Sequence, residues 1–442
     1  MIETTWNPFF DGWIVAVAAA CALACAIPGC LLVLRRQSMM GDALSHAVLP
    51  GIAIGFLVTG SRANWIMFTG AILAALLTVF LTQWLGRRAR VDPGAAMGVV
   101  FTTLFALGIV LIVRGANSVE LEPHCVLYGA LELAPLDLVR ILGVAVPRAF
   151  VVLAVVLIAN LVVVGLFFKE FRLAIFDPAL ASALGLRPGL MHYLLMSLTA
   201  VTTVAAFEAV GSIIVVAMLV VPAAAAKLLA RSLAGMLAWA CGLALVTAVL
   251  GHWSAVQIPH WFGLGSVPTS GAMATVAGGL LLGILVLAPR EGVVAHQGRR
   301  WSFFVRSNCE DLLALAWRLE ERGAAGSAGE LLQRLRSARG TNRLVLHFCL
   351  ARLVRRDLLR REGALLGLTD HGREEAGRVV RSHRLWETWL ARTAGLASDH
   401  VHETAMRLEH VTDEVMRRRL ASESGGPEVD PHGRPIPGDE AE

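Results

Sequence analysis

The chain has 442 residues, of which 56% are hydrophobic and 17% charged, with a mean hydropathy of +0.64. That average excludes a soluble domain of ordinary composition, so much of the chain must face lipid. The formal net charge of +5 is small and comes from arginines in loops and in the last third, so it makes no case for nucleic acid by itself; the seven cysteines lack a paired spacing and read as small buried hydrophobes, not as disulfides or a zinc knuckle.

In chain order, apolar spans are expected at Trp13–Leu34, Ala43–Thr59, Trp65–Leu85, Gly94–Val113, Phe150–Phe168, Leu190–Phe207, Gly211–Ala226, Leu233–Gly251 and Ser270–Ala288. Each approaches the roughly 20 residues a helix needs to cross a bilayer, although the second and seventh are short. The fold class is therefore all-α, beginning with a polytopic transmembrane bundle of about eight or nine spans. The first span is expected to stay in the mature protein, since no small-residue cleavage site lies near it. Cations follow the odd-numbered spans, as Arg35/Arg36, Arg87/Arg88/Arg90, Lys169/Arg172, Lys227/Arg231 and Arg290/Arg299/Arg300. They mark the cytoplasmic side of a multi-pass protein of the cell (inner) membrane, with the N-terminus outside and the C-terminal part inside. Within the long fourth loop, a re-entrant or surface helix is expected over Leu131–Val146.

At the start of the second span, Asp42 and His46 stand four residues apart and so share one helix face. Ionisable groups inside a membrane are costly, and they pair or line a path for ions or substrate. The pair alone also fits Asp42 as a helix N-cap and His46 as a packing residue. Glu208 reads as a carboxylate in water at a helical turn, with a place on the translocation path as the alternative. His124, Cys125, His252 and His260 fall in expected outer loops, where histidines are more often solvated or packed than ligating.

The string MMGDALSHAVLPGIAIGFL, which sets Gly41, Asp42, His46, Pro50 and Gly51 together, resembles the signature of the permease subunits of bacterial ABC transporters that import manganese, zinc or iron. IFDPALASALGL at Ile175–Leu186 and EAVGSIIVVAMLVVPAAAAKLLA at Glu208–Ala230 agree with it, so the resemblance covers about Trp13 to Pro289. It implies that Asp42 and His46 hold metal in the translocation path, and that the segment with Asp177 as N-cap, Ala181 in its middle and Gly185 as stop is the helix that couples to the ATPase. No GxxxxGK[ST] loop occurs in the sequence, so the chain is expected not to be an enzyme, with ATP hydrolysed by a separate cytoplasmic chain. The other implied partners are an extracytoplasmic metal-binding protein, a second permease copy or a related permease, and membrane lipid.

After Pro289 the apolar runs stop, and arginine and glutamate alternate at helical spacing. The expected division is a membrane permease domain at 1–291, a linker at 292–301 and a soluble, mostly helical cytoplasmic domain at 302–442. EDLLALAWRLEERG, LTDHGREEAGRVVRSHRLWETWL, VHETAMRLEHVTDEVMRRRL and DPHGRPIP resemble the iron- and manganese-dependent repressors of the diphtheria-toxin-repressor family. That family implies a winged-helix, metal-sensor-like domain, with a degenerate helix-turn-helix at about 326–362 and a metal-binding and dimerisation part at about 370–420. On a helix from Asp399 onward, His402, Met406, Glu409 and His410 recur at intervals of three and four, as do His383 and Glu387, and place donors on one face. By the resemblance, Asp311, Met406, Glu409 and His410 form one site, and His383, Glu387 and His402 a neighbouring one.

Two departures from the family pattern matter. Met406 stands where iron sensors carry a cysteine and manganese sensors a glutamate; the nitrogen and oxygen donors suit manganese or ferrous iron, and a thioether does not exclude zinc. The helix-turn-helix carries Leu344, Val345, His347 and Phe348 where small polar residues usually read base edges, which argues against specific operator binding. Arg339, Arg343 and Arg355 are left as candidate DNA or phosphate contacts. The expected function is the permease subunit of an ATP-driven importer of divalent metal ions, manganese favoured over zinc or iron, with a metal-sensing appendage. The alternatives are a membrane-tethered metal-dependent transcriptional regulator and an importer of a metal chelate.

Overall fold

The computed structural model describes residues 7–59, 64–115, 131–141, 143–263, 267–323, 326–363 and 365–438. The chain divides into two compact units, Met1–Ala295 and His296–Glu442. Among the described residues, nine helices are long and apolar enough to cross a membrane. These are α1 (Pro8–Leu34), a broken helix made of α2 (Met40–Ala47) and α3 (Leu49–Thr59), α4 (Asn64–Ala89), α5 (Pro93–Gly115), α6 (Arg148–Leu166), α9 (Pro188–Val210), α10 (Ser212–Leu229), α11 (Leu233–Trp261) and α12 (Thr269–Leu287). Two short helices, α7 (Phe168–Phe176) and α8 (Pro178–Ala183), fill the link between α6 and α9.

Helix α1 is the hub, packed on α6, α9, α10 and α11 and buried without interruption from Ala24 to Leu32. Lipid tails are as apolar as leucine, so helices here gain little by hiding hydrophobic surface from one another and associate instead through close packing. Small residues make that possible. A Cβ added at Gly29 would lie 2.0 Å from the carbonyl oxygen of Leu219 on α10, and one at Gly51 on α3 would lie 2.1 Å from that of Gly70 on α4. Cys21, Cys25 and Cys30 are buried along the same helix as the small hydrophobes expected of them. A polar tie adds direction: buried Asn160 of α6 donates to Ala24 O at 2.8 Å and to Thr202 Oγ1 of α9 at 2.9 Å.

Two expectations need correction. Leu131–Val146 is not a helix: Leu131–Leu136 is a 3-10 turn, followed by an antiparallel hairpin of β1 (Leu138–Ile141) and β2 (Val144–Pro147). Pro135 and Pro147 interrupt a helical run there, and Val139, Ile141, Val144 and Val146 are β-branched, which favours a pleated strand. His252 and His260 do not lie in an outer loop, because α11 continues ten residues past the expected end at Gly251, to Trp261. His252 is buried inside it, with Nε2 3.1 Å from Asp11 Oδ1 and Nδ1 3.2 Å from Thr269 Oγ1. His260 is exposed in the last turn. His124 and Cys125 lie outside the described residues.

The second unit has its own core, with Leu312, Leu313, Leu346, Leu353, Leu368 and Ala376 at its centre. Helix α13 (Val293–Glu320) takes in most of the 292–301 segment expected as a linker. After it come β3 (Gly326–Ser327), α14 (Ala328–Arg339), α15 (Arg343–Arg355), β4 (Leu359–Glu362) and β5 (Leu365–Leu368), with the strands ordered β3-β5-β4. Gly340, at φ +64°, ends α14 in the left-handed conformation, and Asn342 caps α15 through the backbone N–H of Leu344, so a helix-turn-helix with a wing is present. Helices α16 (Asp370–Arg392), α17 (Val401–Leu408) and α18 (Glu414–Glu423) complete the unit. The DPHGRPIP segment folds back on α16, where buried Arg384 holds Glu321 at 2.6 Å and the carbonyl of Pro435.

The α1–α10 contact yields a test. Gly29→Val should prevent the two backbones from closing and leave little monodisperse protein on size-exclusion chromatography in detergent. Gly12→Val, where nothing lies within 4 Å of an added Cβ, should leave it unchanged.

Candidate metal sites

The first site lies on α2, which packs against α4, α5, α9 and α10. Pro50 has no N–H to give to the carbonyl of His46, so the α-helical ladder is interrupted there, and α2 ends at Ala47 before α3 resumes at Leu49. Asp42 and His46 share a face of this half-helix, with Asp42 Oδ1 3.6 Å from His46 Nε2 and both side chains partly open. The imidazole rests edge-on against Phe105 of α5, with ring centroids 5.6 Å apart. Ser45 turns away and donates to Asp42 O at 2.7 Å. The result is a carboxylate and an imidazole side by side at a helix break inside the membrane unit, an arrangement suited to passing ligation of a hard or borderline cation.

Asp177 caps α8 by accepting from Leu180 N at 2.9 Å, Ala181 is buried, and Gly185 ends the turn at φ +79°. Leu180 in this short helix and Leu184 at its C-cap remain exposed. Glu208 is exposed in the last turn of α9, close to Gly211, and does not join Asp42 and His46 among the described contacts.

The second unit holds two donor groups. In one, His383, Glu387 and His402 each offer an atom, all within 4.8 Å of one another; in the other, Asp311, Glu409 and His410 do the same. α16 supplies His383 and Glu387, four residues apart, and α17 supplies His402. His383 Nε2 is 3.1 Å from Glu387 Oε1, and His402 Nδ1 lies 2.8 Å from the same oxygen. Glu409 and His410 do not continue α17 as expected; they form a 3-10 turn, Glu409–Val411. That tightening buries both side chains and makes Glu409 a bridge, with Oε2 2.6 Å from His383 Nδ1 and Oε1 3.4 Å from His410 Nε2. The two groups therefore share a carboxylate. Met406 is half-buried one turn before Glu409.

Chemically the groups fit a divalent ion. Asp311 Oδ2 is buried and has no hydrogen-bond partner, a costly arrangement for a carboxylate oxygen unless something else uses it. Burial disfavours charge on His383, yet hydrogen bonds to Glu387 and Glu409 hold its pKa above the ordinary imidazole range. Burial likewise works against charge on Glu387, but His383 and His402 hold its carboxyl far below the usual range. Carboxylates and imidazoles kept in their ligating company, away from water, suit manganese, ferrous iron or zinc.

Three participants were not foreseen. Glu310, adjacent to Asp311 and held by Arg306 at 2.7 Å, accepts from His410 Nδ1 at 2.7 Å. A carboxylate on the distal ring nitrogen orients a ligating histidine, and the only sequence signal was the Glu310-Asp311 pair itself. His432, from the DPHGRPIP segment, brings Nε2 to 4.0 Å from Glu387. Arg339, expected as a DNA or phosphate contact, has its guanidinium 2.9 Å from Asp311 Oδ1. Arg343 and Arg355 stay exposed, as do Leu344 and Phe348 on the same helix, at 77% and 52%.

Residues 10–288 match the family model described as the ABC 3 transport family. The chain belongs to that family. Like its other members it is a multi-pass transport permease subunit and not an enzyme. Residues 369–438 match a second model, the metal binding and dimerisation domain of iron dependent repressors, which covers α16 to α18 and with them six of the seven expected sensor donors, all but Asp311. The chain is 42% identical over 292 residues to the manganese transport system membrane protein MntD of Bacillus subtilis (strain 168), covering 66% of this chain and 96% of that one. It is 36% identical over 367 residues to the zinc transport system membrane protein TroD of Treponema pallidum (strain Nichols), covering 81% and 96%. The solved structure of PsaBC from Streptococcus pneumoniae in complex with Fab superposes with a TM-score of 0.52 at 30% identity, covering 64% of this chain and 93% of that one.

The raised pKa of His383 sets a pH dependence. Unfolded histidine titrates near pH 6.5, and the folded value lies above it. The contribution is therefore complete below about pH 6.5 and is lost as pH rises through the folded value. In chelator-treated protein, unfolding of the second unit should move to lower temperature as pH rises above about 6.5, and His383→Gln should flatten that slope.

Proposed function

We propose that this chain is the permease of an ATP-driven importer of divalent transition-metal ions, manganese first and zinc or iron as lesser cargo, whose C-terminal unit senses the metal it delivers. One observation carries the reading: a carboxylate–imidazole pair at a helix break in the membrane unit, and a second set of metal donors in the same chain. Manganese and zinc permeases among the relatives support the cargo. A path for an intact chelate would need no such pair of direct ligands.

The partly open face of Asp42 and His46 favours a second permease copy bringing its own pair to the same ion. With the arginine-rich links inside, the N-terminus is outside and α8 faces the cytoplasm. There its capped, small-residue surface, flanked by Leu180 and Leu184, suits docking into a separate ATPase chain. An extracytoplasmic binding protein would present the ion from the other side. A membrane-tethered transcriptional regulator remains the second reading, favoured by the winged helix-turn-helix. Exposed Leu344 and Phe348 on its second helix weigh against base reading, because they offer no hydrogen bond to a base edge.

Transport of radioactive manganese into vesicles holding the assembled importer tests the path. Asp42→Ala or His46→Ala should abolish uptake while leaving membrane insertion and ATPase assembly intact; normal uptake by an assembled double variant would refute the site. Replacing Glu409 and His410 together by alanine tests the sensor. Import by the wild type should slow as metal accumulates on the cytoplasmic side, and import by the double variant should not.

A further inference from the structure

Arg339 is the last residue of α14, and its side chain turns back into the donor cluster. The guanidinium lies 2.9 Å from Asp311 Oδ1 and 3.1 Å from His410 Nε2, and it donates to the carbonyl of Met406 at 3.4 Å and to Ser307 Oγ at 3.3 Å. Glu310 accepts from His410 Nδ1 at 2.7 Å, so the other ring nitrogen, Nε2, is the one that faces the guanidinium and, at 3.3 Å, Asp311 Oδ1. Asp311 and His410 are two of the three residues whose donor atoms lie close enough together to hold one divalent ion. The guanidinium already lies against both side chains, so it and a divalent ion are alternative cations in the same place.

The way out is short. Arg339 is 24% exposed, whereas Asp311 is 7% exposed. It sits where α14 ends, with Gly340 N closing on Arg336 O at 2.8 Å. A rotation of its side chain would carry the charge to water while keeping it near the C-terminal end of the helix dipole, which favours a cation. Release would also untie α14 from Asp311 and His410, leaving Thr341 Oγ1 to Asn308 Oδ1, at 3.0 Å, as the neighbouring tie between the turn and α13.

We propose that Arg339 is an affinity-setting internal cation: a divalent ion must displace its guanidinium from Asp311 and His410, and this displacement passes metal occupancy to the end of α14 and the turn into α15. The inference rests on the reading of the second unit as a metal sensor. Charge-assisted hydrogen bonds are among the stronger polar contacts, so a neutral residue at 339 should tighten metal binding by about tenfold or more.

The test uses the full-length chain in detergent, carrying Asp42→Ala and His46→Ala so that the membrane pair does not contribute, stripped of metal and titrated with Mn²⁺ and separately with Zn²⁺. Arg339→Gln should bind at least about tenfold more tightly than Arg339, and Arg339→Lys, which keeps the charge, should stay near the parent. Hydrogen exchange gives a second readout in the parent alone: saturating metal should speed exchange of the amides from Arg336 to Asn342. Equal or weaker binding by Arg339→Gln with α16 still protected would overturn the proposal, as would unchanged exchange in the metal-saturated parent. Absence of Mn²⁺ and Zn²⁺ binding in parent and variant alike would instead bring down the sensor reading itself, and Arg339 with it.

Discussion

An ionised group carried into an apolar interior must meet an opposite charge or a set of hydrogen bonds there, because desolvation otherwise drives it to neutrality. That constraint organises both units. In the membrane unit, His252 of α11 is buried against Asp11 of α1 and Thr269 of α12, and Glu132 accepts from Thr269 N at 2.6 Å, so one polar cluster gathers three spans and the 3-10 turn. Asp42 and His46 escape the full cost by remaining partly open. In the second unit, His383 is enclosed by Glu387 on one ring nitrogen and Glu409 on the other.

Glu409 is where the two donor groups of the second unit become one system. Its carboxylate faces His383 with one oxygen and His410 with the other, so a charge added to either group changes the field at both. The 3-10 turn makes this possible, since it directs consecutive residues Glu409 and His410 inward together. Through His410 and Asp311 the network reaches α13 and Arg339 at the end of α14. The donor groups are thus wired to the helix-turn-helix by direct contacts rather than by sequence proximity.

The membrane unit uses a different device, geometry of the main chain. Pro50 cannot donate to His46 O, so the helix holding the carboxylate–imidazole pair stops inside the bundle. Elsewhere the backbones approach closely, as at Gly29 against Leu219 and Gly51 against Gly70, where only glycine leaves room for the packing that holds membrane helices together.

The sequence by itself determined the class of each half. Apolar runs of membrane length, arginines at alternate links and the Asp42–His46 spacing are local features, each decided by residues near one another in the chain, and so they can be read from it. The same holds for the cap and stop of α8, at Asp177 and Gly185, and for the i,i+4 pairing of His383 with Glu387. Only the tertiary structure decided what depends on distant partners. The continuation of α11 through His252 is supported by Asp11, 241 residues away. The hairpin at Leu138–Pro147 is won by strand pairing over helix formation. Glu409 bridges to His383, Glu310 orients His410 from 100 residues away, and Arg339 faces Asp311 instead of solvent. Sequence spacing reports which side chains share a face of their own element; which other charge that face meets is set by how the elements pack.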